Sequence, residues 1–222
     1  MLIKIAIDGP AGAGKSSIAK AVAKRFNINH LDTGLLYRAV GLYMLQKGGL
    51  YDENFDLEKE LENFKLKIKY YDEKQHILIN DNVVEKELRN SDVSMAASFV
   101  SKNFVVRRYL LKLQQDFAKK NGVVMDGRDI GTVVLKDANV KIFLTASLQV
   151  RAFRRFEELK LKGEKIELEQ VLEDIKKRDF NDKERKISPL KIAKDAKIVD
   201  SSKLTLKQSI EKVISIIEKE LA

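Results

Sequence analysis

Residues 9–16 read Gly-Pro-Ala-Gly-Ala-Gly-Lys-Ser, the spacing G-x-x-x-x-G-K-[ST]. Three glycines so close together disfavour any regular element, because glycine loses more backbone freedom on ordering than other residues. The flanks are regular. Residues 2–7 are short, apolar and rich in isoleucine, as a buried strand should be, and 16–26 places Ile18, Val22 and Phe26 four apart, as a helix should. The chain is thus held to strand, tight loop and helix. In that setting successive loop N–H groups turn inward as a nest, and the helix adds the positive end of its dipole. Such a cradle suits a triphosphate. Gly9, Gly12, Ala13, Gly14, Lys15, Ser16 and Ser17 are the candidate binders, with Lys15 reaching the β- and γ-phosphates and the Ser16 hydroxyl on Mg²⁺. The motif implies a ligand, not a reaction.

At 222 residues the chain is long enough for one large domain or a core with inserted lobes, and no linker rich in Pro, Gly or Ser divides it. There are no cysteines, which excludes disulfides and thiolate chemistry, and His30 and His76 are the only imidazoles. The first apolar run is too short for a signal peptide and is closed by Asp8. A cytoplasmic protein without membrane association is the expectation. The formal charge of +9 fits nucleic acid, membrane surfaces or phosphorylated small molecules equally. Most of the 31 lysines alternate with acids, as on solvated helix faces, so the 11 arginines are the more informative cations.

Taken in order, 28–31 reads as a second strand, followed by Asp32-Thr33-Gly34 and a helix over 35–46 that Gly48-Gly49 ends. Arg38 lies one turn into that helix, either as a ligand group or as an exposed helical arginine. Residues 50–100 change character. A short helix over 56–63 precedes a period-two strand over 64–70, a turn at 72–74, a strand at 76–79, a turn at 80–81 and a short strand at 83–84. This antiparallel meander interrupts an alternating strand–helix pattern and reads as an inserted lobe, with Lys65, Lys67 and Lys69 guarding an edge.

A helix begins near 91 and another spans 103–120, with Val106, Leu110, Leu113 and Phe117 on one stripe. The strand at 123–125 ends at Asp126, a carboxylate suited to a Mg²⁺–water site, and Gly127 to Thr132 reads as a polar loop beyond it. A strand at 140–144 leads to a helix ending near 162 that carries Arg151, Arg154 and Arg155, with Thr145 or Ser147 as its cap. A helix over 167–186 sets Arg178, Asp182 and Arg185 on one face, either as a solvent ladder or as ligand groups. A last strand at 197–199 precedes a helix with a Thr205-x-x-Gln208 capping box and an apolar stripe of Leu206, Ile210, Val213, Ile217 and Leu221, which should pack on the sheet.

The segments IAIDGPAGAGKSS, LDTGLLYRAV, VVMDGRDIGTVV, VKIFLTAS and RDFNDKERKISPL, in that order, resemble the bacterial-type cytidylate kinases of the nucleoside monophosphate kinase group. The resemblance runs from residue 3 to the C-terminus. It implies an α/β fold: a P-loop parallel sheet core flanked by helices, an inserted small antiparallel β/helical monophosphate-binding lobe, and a helical lid. The core would comprise 1–34 and 101–222, with the lid at roughly 151–186. Residues 35–100 would form the monophosphate-binding region, with the β insert at roughly 63–85. The implied reaction moves the γ-phosphoryl group of ATP to CMP, and to dCMP, with Mg²⁺. The implied catalytic residues are Lys15, Arg128, Arg178 and Arg185. Arg38, Arg128 and Arg185 would hold the acceptor phosphate; Ser98, Arg107 and Asp129 would read cytosine; Arg178 and Asp182 would reach the ribose. Thr33 also joins the substrate set, keeping a hydroxyl where serine is common. Ser16 and Asp126 would hold the metal, and an arginine among 151–155 would close over the transferring group. Phe104 replaces a frequent proline and leaves the start of its helix open.

Two other readings share features with this one. A P-loop kinase for AMP, UMP or shikimate would keep the loop and lid. A nucleotide switch or RNA-binding module would use the basic charge, but no N-K-x-D segment or aromatic platform accompanies it. A monomer that binds nucleotides and no nucleic acid is therefore the expectation.

Overall fold

Ile5, Ala6 and Ile7 are completely buried and have a parallel strand on each side, the environment that a continuous apolar run requires. The structure, a computed structural model, describes residues 2–50, 52, 55–71 and 74–222, with the backbone alone at 89 and 91. Among the described residues the chain runs β1 (Lys4–Asp8), α1 (Lys15–Phe26), β2 (Asn29–Asp32), α2 (Thr33–Gln46), α3 (Leu57–Glu62), β3 (Leu66–Tyr71), β4 (Lys74–Ile79) and β5 (Asn82–Val83). It continues through a 3-10 turn (Glu87–Arg89), α4 (Ser91–Val100), α5 (Phe104–Lys120), β6 (Val123–Gly127), a π-helical turn (Ile130–Val134), β7 (Val140–Thr145), α6 (Leu148–Leu161), α7 (Leu168–Glu184), β8 (Lys197–Asp200) and α8 (Leu206–Leu221). Two compact units result: Met1–Asn29 with Asn121–Ala222, and His30–Lys120.

The first unit is built on a parallel sheet in the order β2-β6-β1-β7-β8, which β2 enters from its first residue, Asn29. All carboxyl ends of a parallel sheet share one edge, where open α/β sheets take their ligands. Asp8, Asp126 and Thr145 lie at that edge. Helices α1 and α8 bury Ile18, Val22, Val213 and Ile217 with Ile5, Ile142, Leu144 and Val199. Full burial of each large aliphatic side chain contributes about 1.5–3 kcal/mol. The Thr205/Gln208 capping box forms as expected, but Leu206 is 54% exposed and Ser209 points inward instead. Helices α6 and α7 pair around Ala152, Leu159, Val171 and Ile175, a satellite cluster of their own. Ser147 is the cap of α6, its Oγ accepting from Val150 N, and Gly163 follows the helix with φ 81°.

Three local expectations change. The loop expected at 127–132 contains the π-helical turn, in which Val134 N and Leu135 N donate to carbonyls five residues back, Asp129 O and Ile130 O. Helix α7 ends at Glu184, so Arg185 is extended (φ −62°, ψ 136°) and does not continue the helical face of Arg178 and Asp182. On α5 the inward stripe runs Val106, Leu110, Gln114 and Ala118, with Leu113 and Phe117 part-buried beside it.

In the second unit, α2 and α4 touch at Gly41, where a Cβ would lie 2.8 Å from Ala97 N and 3.0 Å from the Ala96 Cβ. The meander β3-β4-β5 has Asn80 and Asp81 at φ 47° and 68°, the left-handed pair of a tight hairpin turn. The turn expected at 72–74 falls at 72 and 73 outside the described residues, and Lys74 opens β4. Tyr109 of α5 binds this lobe through both Phe64 O and Leu66 N, and the Phe117 ring stacks on Tyr70 at 5.3 Å. Tyr70 Oη donates to His30 O, and Gln75 pairs with the Asp32 backbone. These links place β2's last residues and all of α5 with the meander, so the unit spans 30–120 instead of the expected 35–100. Phe104 does open α5, with Asn103 Oδ1 accepting from Val105 and Val106 N–H. No helix among the described residues is long and apolar enough to cross a membrane.

Candidate active site

The glycine loop leaves β1 and passes so close to β7 that a Cβ on Gly9 would lie 2.0 Å from Leu144 O. Gly12 and Gly14 take φ 73° and 91°, which side chains resist, and Gly14 caps α1. No acidic residue stands in the first turn of α1, so its positive dipole end is left for an anion. Ala13 belongs to the core and offers the loop its backbone alone, while Ser17 lies exposed on the first turn.

Lys15 is buried, and its Nζ donates to Pro10 O at 2.7 Å across the loop. Burial, followed by the nearby Arg128 guanidinium, pushes its ammonium down to about 7. Ser16 Oγ donates to Asp126 Oδ2 at 2.7 Å, bringing together the two residues expected to hold a metal. A hydroxyl and a carboxylate are hard oxygen donors, a set that suits Mg²⁺.

Asp8 is a buried carboxylate beside the loop that the sequence alone does not single out. It is 5% exposed, and its two oxygens accept from Ile130 N at 2.8 Å and Gly131 N at 2.7 Å. Its carboxylate therefore seats the π-helical turn just after Arg128 and Asp129. Burial outweighs those two hydrogen bonds and pushes its carboxyl up to about 6. The available signal is a charge at the end of an apolar strand, immediately before the loop.

Beyond β6 the charged groups alternate. Arg128 Nε donates to Asp182 Oδ2 at 2.6 Å; Arg185 lies 3.6 Å from Asp182 Oδ1 and 3.3 Å from Asp129 Oδ1, and its Nε donates to Ser188 O. Burial alone would raise the Asp182 carboxyl, but Arg128, by charge and hydrogen bond, with Arg185 and Lys15, holds it below the usual carboxylate range. Arg178 is part-buried on α7, one turn before Asp182. Of the α6 arginines, Arg151 is buried against the loop itself, Arg154 donates to Ser201 Oγ, Ser201 O and Leu204 O, and Arg155 pairs with Glu158 on its own helix. Arg151 is thus engaged with the loop and Arg154 with the chain that follows β8.

The remaining expected residues belong to the second unit. Thr33 is buried as the first residue of α2, and Arg38 donates to Leu88 O at 2.8 Å. Around the α4–α5 corner, Ser98 O accepts from Ser101 Oγ, Ser101 O accepts from the buried Arg107, and the Arg107 guanidinium lies 5.5 Å from the Tyr37 ring centre. Tyr37 and Ser101 are further residues the sequence reading passed over.

A glycine loop between strand and helix, with a lysine inside it and a hydroxyl–carboxylate pair at its side, defines a P-loop nucleotide-binding protein. The gluconokinase of Sinorhizobium meliloti, 13% identical, has a likeness of fold alone, with a TM-score of 0.51 over 98% of this chain and 92% of that one. The cytidylate kinase family model matches residues 5–219. The cytidylate kinase of Caldicellulosiruptor saccharolyticus is 48% identical over 217 residues, 98% of this chain and 96% of that protein. That of Acholeplasma laidlawii is 45% identical over 216 residues, 97% and 95% of the two chains. The chain belongs to the cytidylate kinase family and is a nucleoside monophosphate kinase.

Proposed function

We propose that the protein transfers the γ-phosphoryl group of ATP to CMP, and to dCMP, forming CDP or dCDP and ADP. The observation that carries the reading is electrostatic. Arg128 and Arg185 are both tethered to Asp182, at 2.6 and 3.6 Å, in the same unit as the loop that carries Lys15. Two arginines sharing one carboxylate support a reading in which they offset the charge of a second phosphate.

The acceptor is a phosphate monoester whose second pKa is about 6, so at neutral pH its oxygen is already anionic. No general base is needed. That oxygen attacks the γ-phosphorus as the bond to the β–γ bridging oxygen breaks, and ADP leaves with the electron pair. In this reading Arg38, Arg128 and Arg185 hold the acceptor phosphate and offset the repulsion between two polyanions. Lys15 neutralises the β- and γ-phosphates, and the N–H groups from Gly12 to Ser17 hold them in place. Ser16 and Asp126 are the residues that would hold Mg²⁺, which when bound would add charge neutralisation on the phosphates. Arg178 and Asp182 orient the ribose, and the Thr33 hydroxyl joins the substrate set.

Base choice follows from donors and acceptors. Cytosine presents an amino group at C4 beside acceptors at N3 and O2, matching the Asp129 carboxylate and the Arg107 and Ser98 donors. Uracil reverses the first two and would leave buried polar groups unmatched. The test is turnover of MgATP with CMP, dCMP, AMP or shikimate supplied separately. CDP and ADP forming one for one, with little ADP when no acceptor is present, is the expected result. Transfer confined to AMP or shikimate, or equal ADP formation without any acceptor, would refute it.

A further inference from the structure

Ala11, at the crest of the donor loop, is held by both of its backbone groups. Its N–H donates to Asp179 Oδ1 at 3.3 Å, and its carbonyl accepts from an Arg151 terminal nitrogen at 3.0 Å. The same Arg151 nitrogen donates to Asp179 Oδ2 at 2.6 Å, which closes a triangle of residues 28, 140 and 168 positions apart. Arg151 Nε meanwhile donates to Ala146 O at 2.9 Å, fixing the guanidinium to the chain that leaves β7. Both charged side chains are nearly buried, at 8% and 13% exposure. Next to this triangle, a Cβ on Gly12 would lie 2.9 Å from Arg151 O, so the backbone of α6 rests on the loop.

We propose that Arg151 and Asp179 act as one positioning pair that presets the crest of the nucleotide loop and makes donor binding depend on the α6–α7 hairpin. The proposal rests on the donor-site part of the functional reading, not on the identity of the acceptor. The loop's glycines leave it intrinsically mobile, and N–H groups that must converge on phosphates bind best when already in place. Lys15 supports the loop from within through Pro10 O; Arg151 and Asp179 support it from without, one from each helix of the hairpin. A carboxylate touching a loop that receives a polyanion would repel it if alone. Arg151 cancels that charge, so the pair can grip the loop without opposing the ligand. This assigns Arg151 a place under the loop rather than on the transferring group.

The test uses the full-length protein with Arg151→Gln, Arg151→Lys, Asp179→Asn and the double variant Arg151→Gln/Asp179→Asn. Direct titration with MgADP, and KM values for MgATP and CMP, give the readouts. Arg151→Gln is expected to weaken MgADP binding and raise KM for MgATP about tenfold, while KM for CMP stays within about twofold. Arg151→Lys keeps the charge but not the fork, so its effect is intermediate. Because removing Arg151 leaves Asp179 unneutralised, the double variant should bind MgADP as well as or better than Arg151→Gln alone. Unchanged MgADP affinity in Arg151→Gln and Asp179→Asn, with a lowered unfolding temperature only, would overturn the proposal by showing a purely structural pair. Equal increases in both KM values, or additive losses in the double variant, would overturn it as well. Should wild type bind MgADP yet fail to phosphorylate CMP, the acceptor reading falls while the dissociation constants still decide this one.

Discussion

Replacing Asp8 by asparagine changes one atom at the junction of β1, the loop and the π-helical turn, and the sign of its effect depends on pH. The carboxyl is raised from 3.8 to about 6, chiefly by burial. About two pK units correspond to about 3 kcal/mol at 1.36 kcal/mol each. Above pH 6 both folded and unfolded chains carry the carboxylate, so the folded state bears this full penalty. As pH falls from 6 toward 3.8 the folded protein takes up a proton that the unfolded chain does not, and the penalty is relieved. The side-chain amide of the Asp8→Asn variant would not titrate. It escapes the penalty at neutral pH but keeps only one acceptor for the two N–H groups of Ile130 and Gly131, a loss of about 1–3 kcal/mol. At pH 7.5 the variant should therefore lie between equal to wild type and about 2 kcal/mol more stable. At pH 4.5 the wild type has recovered about 2 kcal/mol, one and a half units at 1.36, so the variant should be about 2 kcal/mol worse off there than at pH 7.5. Urea unfolding of both proteins at the two pH values measures that double difference directly. A deficit equal at both pH values, or larger at pH 7.5, would refute the argument that burial dominates at Asp8.

Further outcomes follow from the same geometry. With the Lys15 ammonium pushed down to about 7, MgATP affinity should fall as pH rises from 6.5 to 8.5, approaching tenfold per unit above 7, and Lys15→Arg should remove that dependence. A flat profile in wild type by calorimetric titration would contradict it. Gly9→Ala places a methyl group 2.0 Å from Leu144 O at φ 152°, so the loop must shift; thermal unfolding several degrees lower together with a raised KM for MgATP is expected, and wild-type values for both would count against it. Asp129→Asn should erode the preference for CMP over UMP, and an unchanged ratio of kcat/KM values would remove Asp129 from base selection.

Local chemistry made much of this protein legible in its sequence. Strand, loop and helix around residues 9–16, the meander with its lysine-bearing edge, and the Thr205/Gln208 cap each depend on neighbours within a few residues. What escaped depends on partners far along the chain. The π-helical turn needs a carboxylate 122 residues earlier to receive its first N–H groups. Arg151 sits at a helical spacing that suits a solvent-facing lid, yet its partners are Ala11, 140 residues away, and Asp179. Arg185 continues a helical spacing with Arg178 and Asp182 on paper; the chain instead leaves α7 at Glu184, with Ser188 at φ 49° and Leu190 N bonded to Asp182 O. The assignment of α5 to the His30–Lys120 unit likewise rests on Tyr109 and Phe117 meeting residues more than 40 positions earlier. For α5, α6 and α7 periodicity identified the helix, and contacts far along the chain decided what its side chains do.

The central claim, that a cytidine monophosphate is the acceptor, is tested most directly by competition. MgATP is supplied limiting with equal CMP and UMP, and the CDP and UDP formed are measured in the early phase of the reaction. CDP in large excess, by more than about tenfold, is the result this account predicts from donor and acceptor matching. Equal amounts of the two products, or an excess of UDP, would contradict it.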